Sequence, residues 1–340
     1  MRLGLGMHPP MIKRENFQFA KQMGCTDLVL HLTDYRQQTL TMQQSRDMYK
    51  YDRLIALKKA INDEGLEFHA IENFCPADWS DILLDGPRKK EQMEHLKNII
   101  RDVGRAGIPV FGYNFSIAGV WGREQLPSAR GGALTPVFNN PKQEPIPNGT
   151  VWNYVYDADA PEGTIGTVSH EQLWSRLQYF LEQIIPVAEE AGVVMAAHPD
   201  DPPMPEIRGT ARLVYQPRLY QTLLDLVPSP SNALEFCLGS LQEMTEGNVY
   251  DAIDQYCAHI GYVHFRNVRG KVPYYEEVFV DEGDIDMIRA LRHLKKGNYQ
   301  GVLIPDHTPA AQCDAPWHAG MAFALGYMKA AMTIVAQEEG

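Results

Sequence analysis

Apolar residues along the chain cluster in short runs, each followed by a loop and then by a longer stretch whose apolar positions recur every three to four residues. Short apolar runs bounded by turn residues read as buried strands, and the 3.6-residue period reads as helices with one face on a core. This pattern predicts strands at 2–6, 27–31, 67–71, 110–114, 193–198, 233–237, 260–266 and 301–306. Helices are predicted between and after them, among them 51–64, 88–106, 170–191, 216–226, 285–296 and 319–337. Gly65, Gly107 and Gly192 each stand between a helical stretch and the next strand, where a helix C-cap feeds a parallel strand. Eight such alternations predict an α/β fold, a (β/α)8 TIM barrel, formed by residues 1–340 as a single domain. The segment 121–163 breaks the rhythm, being rich in Gly, Pro and Asn. Its aromatic residues (Trp121, Phe138, Trp152, Tyr154 and Tyr156) predict an ordered loop or hairpin excursion over the barrel mouth.

Composition narrows the partners. The net charge of −12 and the lack of any Lys/Arg-rich run argue against nucleic acid and anionic membrane surfaces. The N-terminal stretch is too short and too quickly followed by prolines to read as a signal peptide, and no apolar stretch of about 18 residues is expected. The five cysteines are scattered and odd in number, which suits reduced thiols and a cytoplasmic location. The expected partner is a small molecule, and the oligomeric state is left open.

In a barrel of this kind the catalytic mouth is lined by residues at the C-terminal ends of the strands. Those positions hold His31, Glu72, Asn114, His198, Cys237, His264, Arg266 and Asp306. Each alone has an ordinary structural explanation: a core cysteine, a satisfied histidine, or an aspartate capping a turn. Together, however, strands five to eight each deliver a metal-competent side chain to one quadrant. The set His198, Cys237, His264 and Asp306 suits one borderline divalent ion, Mn²⁺, Fe²⁺, Co²⁺ or Zn²⁺, acting as a Lewis acid. Asp200 and Asp201, next to His198, are candidates for fixing an imidazole tautomer. Arg266, two residues beyond His264 and therefore on the same strand face, reads as a carboxylate clamp or as an ion pair with a neighbouring acid. His307, next to Asp306, is a candidate acid or base.

At these residues the sequence resembles the D-mannonate dehydratase family of the xylose-isomerase-like barrels. The resemblance rests on LVLH at 28–31, AGIPVFGYNF at 106–115 and Trp121-x-Arg123. It continues through HPDDPP at 198–203, FCLGS at 236–240, HFRNV at 264–268, GDIDM at 283–287 and PDH at 305–307. It implies a lyase that removes water from D-mannonate to give 2-keto-3-deoxy-D-gluconate with one divalent ion, typically Mn²⁺. It also implies His198, Cys237, His264 and Asp306 as ligands and His307 in proton transfer, with His31, Arg123 and Arg266 in the substrate pocket; Glu72 and Asn114 join that pocket by their strand-end positions. Two positions depart from the family pattern. Met321 stands where a tyrosine is expected, and Val120 replaces an aspartate. His318, one turn before Met321, is the first choice to take over the missing proton transfer. The alternatives are a metal-dependent sugar or keto-sugar isomerase or epimerase, and a non-catalytic sugar-binding relative.

Overall fold

A computed structural model describes residues 1–34 and 42–338. Eight parallel strands close into a barrel: β1 (Arg2–Met7), β2 (Asp27–Leu30), β3 (Glu67–Glu72), β4 (Val110–Tyr113), β5 (Val194–Ala197), β6 (Asn232–Cys237), β7 (Ile260–His264) and β8 (Val302–Ile304). Each pairs with its neighbours in chain order, and β8 returns to β1. The outer layer holds α1 (Arg14–Gln22), α2 (Tyr51–Asp63), α3 (Lys89–Arg105), α4 (His170–Ala191), α5 (Leu219–Leu226), α6 (Val249–Tyr256), α7 (Met287–Lys296) and α8 (Pro316–Gln337). The predicted (β/α)8 architecture is observed. Strand ends differ from expectation by one or two residues: β7 stops at His264 and β8 at Ile304, so Arg266 and Asp306 stand on the loops just beyond.

Local chemistry explains the elements. α4 begins at a capping box in which Ser169 accepts from the Gln172 backbone and Gln172 reaches back to Ser169, and it ends on Gly192 in the left-handed conformation. Val29, Ala70, Val110, Ala196, Tyr262, Val302 and Ile304 fill the barrel interior, while the larger apolar cluster seals the strands against the helices. Gly112 of β4 is required by close approach: a Cβ there would collide with Glu235 and Tyr262.

The excursion folds into strands Arg123–Ala129 and Ala133–Asn139, which extend a hairpin after β7 (Asn267–Lys271 and Tyr274–Val278) into a four-stranded antiparallel sheet. The second hairpin was not foreseen. One sequence expectation is corrected. α8 has 22 residues and a window of mean hydropathy 1.4, long and apolar enough by length and composition to span a bilayer. Here it packs Met321, Ala324, Leu325, Met328, Ala331 and Val335 inward.

Candidate metal centre and substrate cavity

Strand register builds the site. Cys237, last in β6, lies beside His264, last in β7, and two residue pairs deeper Glu235 lies beside Tyr262. Because alternate residues share a face, Glu235 sits directly beneath Cys237 in the barrel. His198 follows β5 immediately. Its Nδ1 donates to the Pro199 carbonyl at 2.6 Å, which leaves Nε2 for other partners. Ligand atoms of His198, Cys237 and His264 lie within 4.8 Å of one another, close enough to share one cation. Asp306 is outside that triad. Its Oδ2 is 3.5 Å from His264 Nδ1, 3.2 Å from Arg266 Nε and 3.3 Å from His307 Nε2.

The electrostatics favour positive charge at this point. Burial opposes ionisation of the Cys237 thiol, yet the Arg266 guanidinium and His198 hold it well below the usual thiol range. Burial likewise opposes protonation of His198, but Cys237 and Glu235 raise it to about 9. His264 is raised further, against burial, by Asp306, Glu72 and Glu235. Its ring nitrogens lie 3.1–3.5 Å from these three carboxylates. Neither nitrogen makes a hydrogen bond among the described residues. Thiolate, carboxylate and imidazoles thus form a donor set whose protons a divalent cation would displace, and the residues present fit such an ion.

Glu72, Glu235 and His264 form a second tight group, deeper in the barrel. Burial and the charge of Glu72 push the Glu235 carboxyl up to about 8. Glu235 escaped the sequence reading, although its i, i+2 spacing from Cys237 put it on the inner face.

Arg266 lies among acids. It is 2% exposed, with Asp201 and Glu243 each at 2.8 Å, Glu277 at 3.1 Å and Cys237 Sγ at 3.4 Å. A guanidinium enclosed by so many acids fits the ion pair of the two readings. Arg123 also pairs with Asp201, and with Glu277 at 2.6 Å, but it lines the cavity. Gly239 of FCLGS makes room for this cluster, since a Cβ there would stand 2.8 Å from Arg266 Cζ. Ser240 donates to Asp201 at 3.0 Å. The two aspartates of HPDDPP divide the work. Asp200 binds Arg212 and the Leu213 and Val214 amides, pinning the loop, while Asp201 joins the arginine cluster.

His307 is clamped: Nδ1 is 2.5 Å from Glu277 Oε2 and the ring is 40% exposed at the cavity. Asp306 and Glu277 raise its pKa against burial. His31 sits 3.2 Å from Glu72 and stacks on His8 at 4.1 Å between centroids. His8, Asn73, Trp152 and Val120 join His31, Glu72, Asn114, Arg123, His198, His264, Asp306 and His307 around one cavity of about 180 Å³. His8 was not foreseen because the predicted β1 stopped short of it. His318 is corrected in position. Its Nε2 lies 2.9 Å from Asn16 Oδ1 and its ring packs edge-on against Phe19 and Trp317, so it faces α1. Past its first residue, Pro316, α8 turns Trp317 and Met321, one full turn apart, to the second part of the cavity.

Fold and rim define a (β/α)8 TIM barrel with its polar residues gathered at the C-terminal mouth. The family model described as D-mannonate dehydratase (UxuA) matches residues 16–335. A mannonate dehydratase from Streptococcus equi subsp. zooepidemicus is 33% identical over 272 residues, covering 75% of this chain and 74% of the relative. One from Oceanobacillus iheyensis is 31% identical over 274 residues, covering 77% and 78%. The crystal structure of mannonate dehydratase from Streptococcus suis serotype 2 matches with TM-score 0.80 and 26% identity, covering 99% of this chain and 94% of that one. D-psicose 3-epimerase from Clostridium cellulolyticum H10, at TM-score 0.64 and 11% identity over 98% and 99%, shares the fold. The chain belongs to the D-mannonate dehydratase family.

Proposed function

We propose that the chain is a divalent-metal-dependent hydro-lyase that converts D-mannonate, or a closely related aldonate, to the 2-keto-3-deoxy acid. The observation that carries this reading is the His198–Cys237–His264 triad sharing one cavity with the clamped His307, in a chain of this family. His198, Cys237 and His264, completed by Asp306, would hold the ion, with Mn²⁺ the first choice. When bound, the ion neutralises charge on substrate oxygens as the proton alpha to the carboxylate leaves. His307, kept protonated by its two carboxylate neighbours, is placed to protonate the departing C3 hydroxyl. His31, braced on Glu72, approaches from the β2 side as the acceptor of the C2 proton. Asp201 and Glu277 fix Arg123 and Arg266, and Arg266 orients Cys237 and Asp306. Asn114 lies 3.5 Å from His198 and lines the cavity as a substrate donor. A small sugar acid as partner and a cytoplasmic location complete the reading; the free cysteines among the described residues support the latter.

The test is an assay of the Mn²⁺-loaded protein against hexonates and pentonates, reading 2-keto-3-deoxy product. A second reading, a keto-sugar isomerase, is favoured by one observation: both arginines that could clamp a carboxylate are already paired with acids. Interconversion of keto-sugars without any keto-deoxy product would replace the first reading by the second.

A further inference from the structure

The cavity at the barrel mouth has two lobes of opposite character. The metal-side lobe, about 180 Å³, is walled by histidines, amides, acids and Arg123. A second lobe of about 280 Å³ opens beside it toward α8. The two share His8, His31, Glu72, Asp306 and His307, which therefore mark the junction. Beyond that junction the described residues that build the second lobe are Gly6, Ile304, Ala310, Pro316, Trp317 and Met321, with Thr308 supplying the one hydroxyl among them. No lysine or arginine lines it among the described residues.

The proposed reaction fixes which end of the substrate goes where. The bond changes occur at the two carbons next to the carboxylate, beside His307 at the junction. The carboxylate needs cations and donors, and beyond the shared junction Arg123, Asn114, His198 and His264 supply them in the metal-side lobe. The remaining carbons must then extend into the second lobe. A hexonate brings hydroxyls on its last three carbons into that lobe, where a single threonine hydroxyl next to His307 can meet one of them. The other hydroxyls would exchange water for the thioether of Met321 and the indole face of Trp317. Buried hydroxyls without partners are disfavoured, whereas a methyl or methylene gains from both surfaces.

We infer that the preferred substrate is an aldonate with an apolar far end, deoxygenated at the carbon most remote from its carboxylate and seated against Trp317 and Met321. This rests on the dehydratase reading, and the experiment separates the two. The Mn²⁺-loaded protein is given D-mannonate and 6-deoxy-D-mannonate in parallel, with kcat/KM read from keto-deoxy product, and the binding of each acid is measured by calorimetry. The deoxy acid should be favoured by about tenfold or more in both measurements, the scale on which apolar pockets discriminate one small group. Met321→Gln should bring the ratio back toward one. Equal or better use of D-mannonate by the unmodified protein would overturn the inference while leaving the dehydratase reading intact. If neither acid is dehydrated, the dehydratase reading fails; the binding ratio then decides on the lobe alone, tighter binding of the deoxy acid upholding it and equal binding refuting it.

Discussion

Replacing Glu277 by glutamine tests how the hairpin after β7 reaches the chemistry. Glu277 is 2% exposed and holds three cations at once: His307 at 2.5 Å, Arg123 at 2.6 Å and Arg266 at 3.1 Å. Glutamine keeps the shape and one acceptor oxygen but removes the charge. Breaking a buried pair outright costs about 3–5 kcal/mol. Asp201, Glu243 and Asp306 still surround Arg266, so the loss of stability should fall below that range, at about 2 kcal/mol. The effect on turnover should be the larger one. A group that orients a catalytic imidazole contributes about 10–100-fold, by analogy with the outer partners of metal-bound histidines. That corresponds to about 1.4–2.7 kcal/mol of barrier. Steady-state kinetics should therefore show kcat falling by that factor with KM changed much less. The pH profile supplies the sign. Glu277 favours the protonated form of His307, so its removal lowers the His307 pKa. The limb on which activity is lost as His307 deprotonates must then move to lower pH. Unchanged kcat and an unmoved alkaline limb would refute the clamp.

Cys237→Ser should weaken Mn²⁺ binding by about tenfold or more, read by elemental analysis after dialysis, because a serine hydroxyl does not ionise at neutral pH as the thiol beside Arg266 does. Gly239→Ala should destabilise the fold by about 1–3 kcal/mol in chemical denaturation, since its Cβ would press on the Arg266 guanidinium, whereas Gly326→Ala on open α8 meets nothing within 4 Å and should stabilise by about 0.5–1 kcal/mol. His318→Ala should leave turnover within about twofold and cost about 1 kcal/mol of stability through the lost bond to Asn16, read as a small drop in Tm.

The barrel and much of its rim were legible because both depend on short-range rules. Strand ends point at the mouth, so His198, Cys237 and His264 could be placed together from the alternation alone. Glu235 was equally available, two residues before Cys237, but an acid inside an apolar strand is easily passed over. Glu277 carried no local signal. It lies on an exposed-looking hairpin whose partners, Arg123 and His307, are distant in sequence, and only the pairing of Tyr274–Val278 with Ala133–Asn139 brings them together. His318 failed for a different reason. Three residues from Met321 is close to one turn, but the cavity selects the face shared by Trp317 and Met321, and His318 is carried round toward Asn16. The apolarity of α8 likewise required the packed structure before it could be assigned to the barrel wall.

The sheet of the excursion is thereby part of the candidate metal centre. Arg123 from the first hairpin and Glu277 from the second meet Asp201 and Arg266 from the barrel rim, and Tyr275 donates to Asp201 at 2.9 Å. Two guanidiniums are needed there because a thiolate and three ionised acids, Asp201, Glu277 and Asp306, gather in one buried space. Burial and Asp201 push the Glu243 carboxyl well above the usual carboxylate range. Strip out Arg266, and Cys237 loses the charge that ionises it while Asp306 loses its anchor at 3.2 Å. The acids that neutralise Arg266 are therefore what allow its charge to stand beside Cys237 in a buried space. A carboxylate entering this site must be met by the ion, by Asn114 and by whatever donors Arg123 can release when Asp201 and Glu277 are held by Arg266 alone.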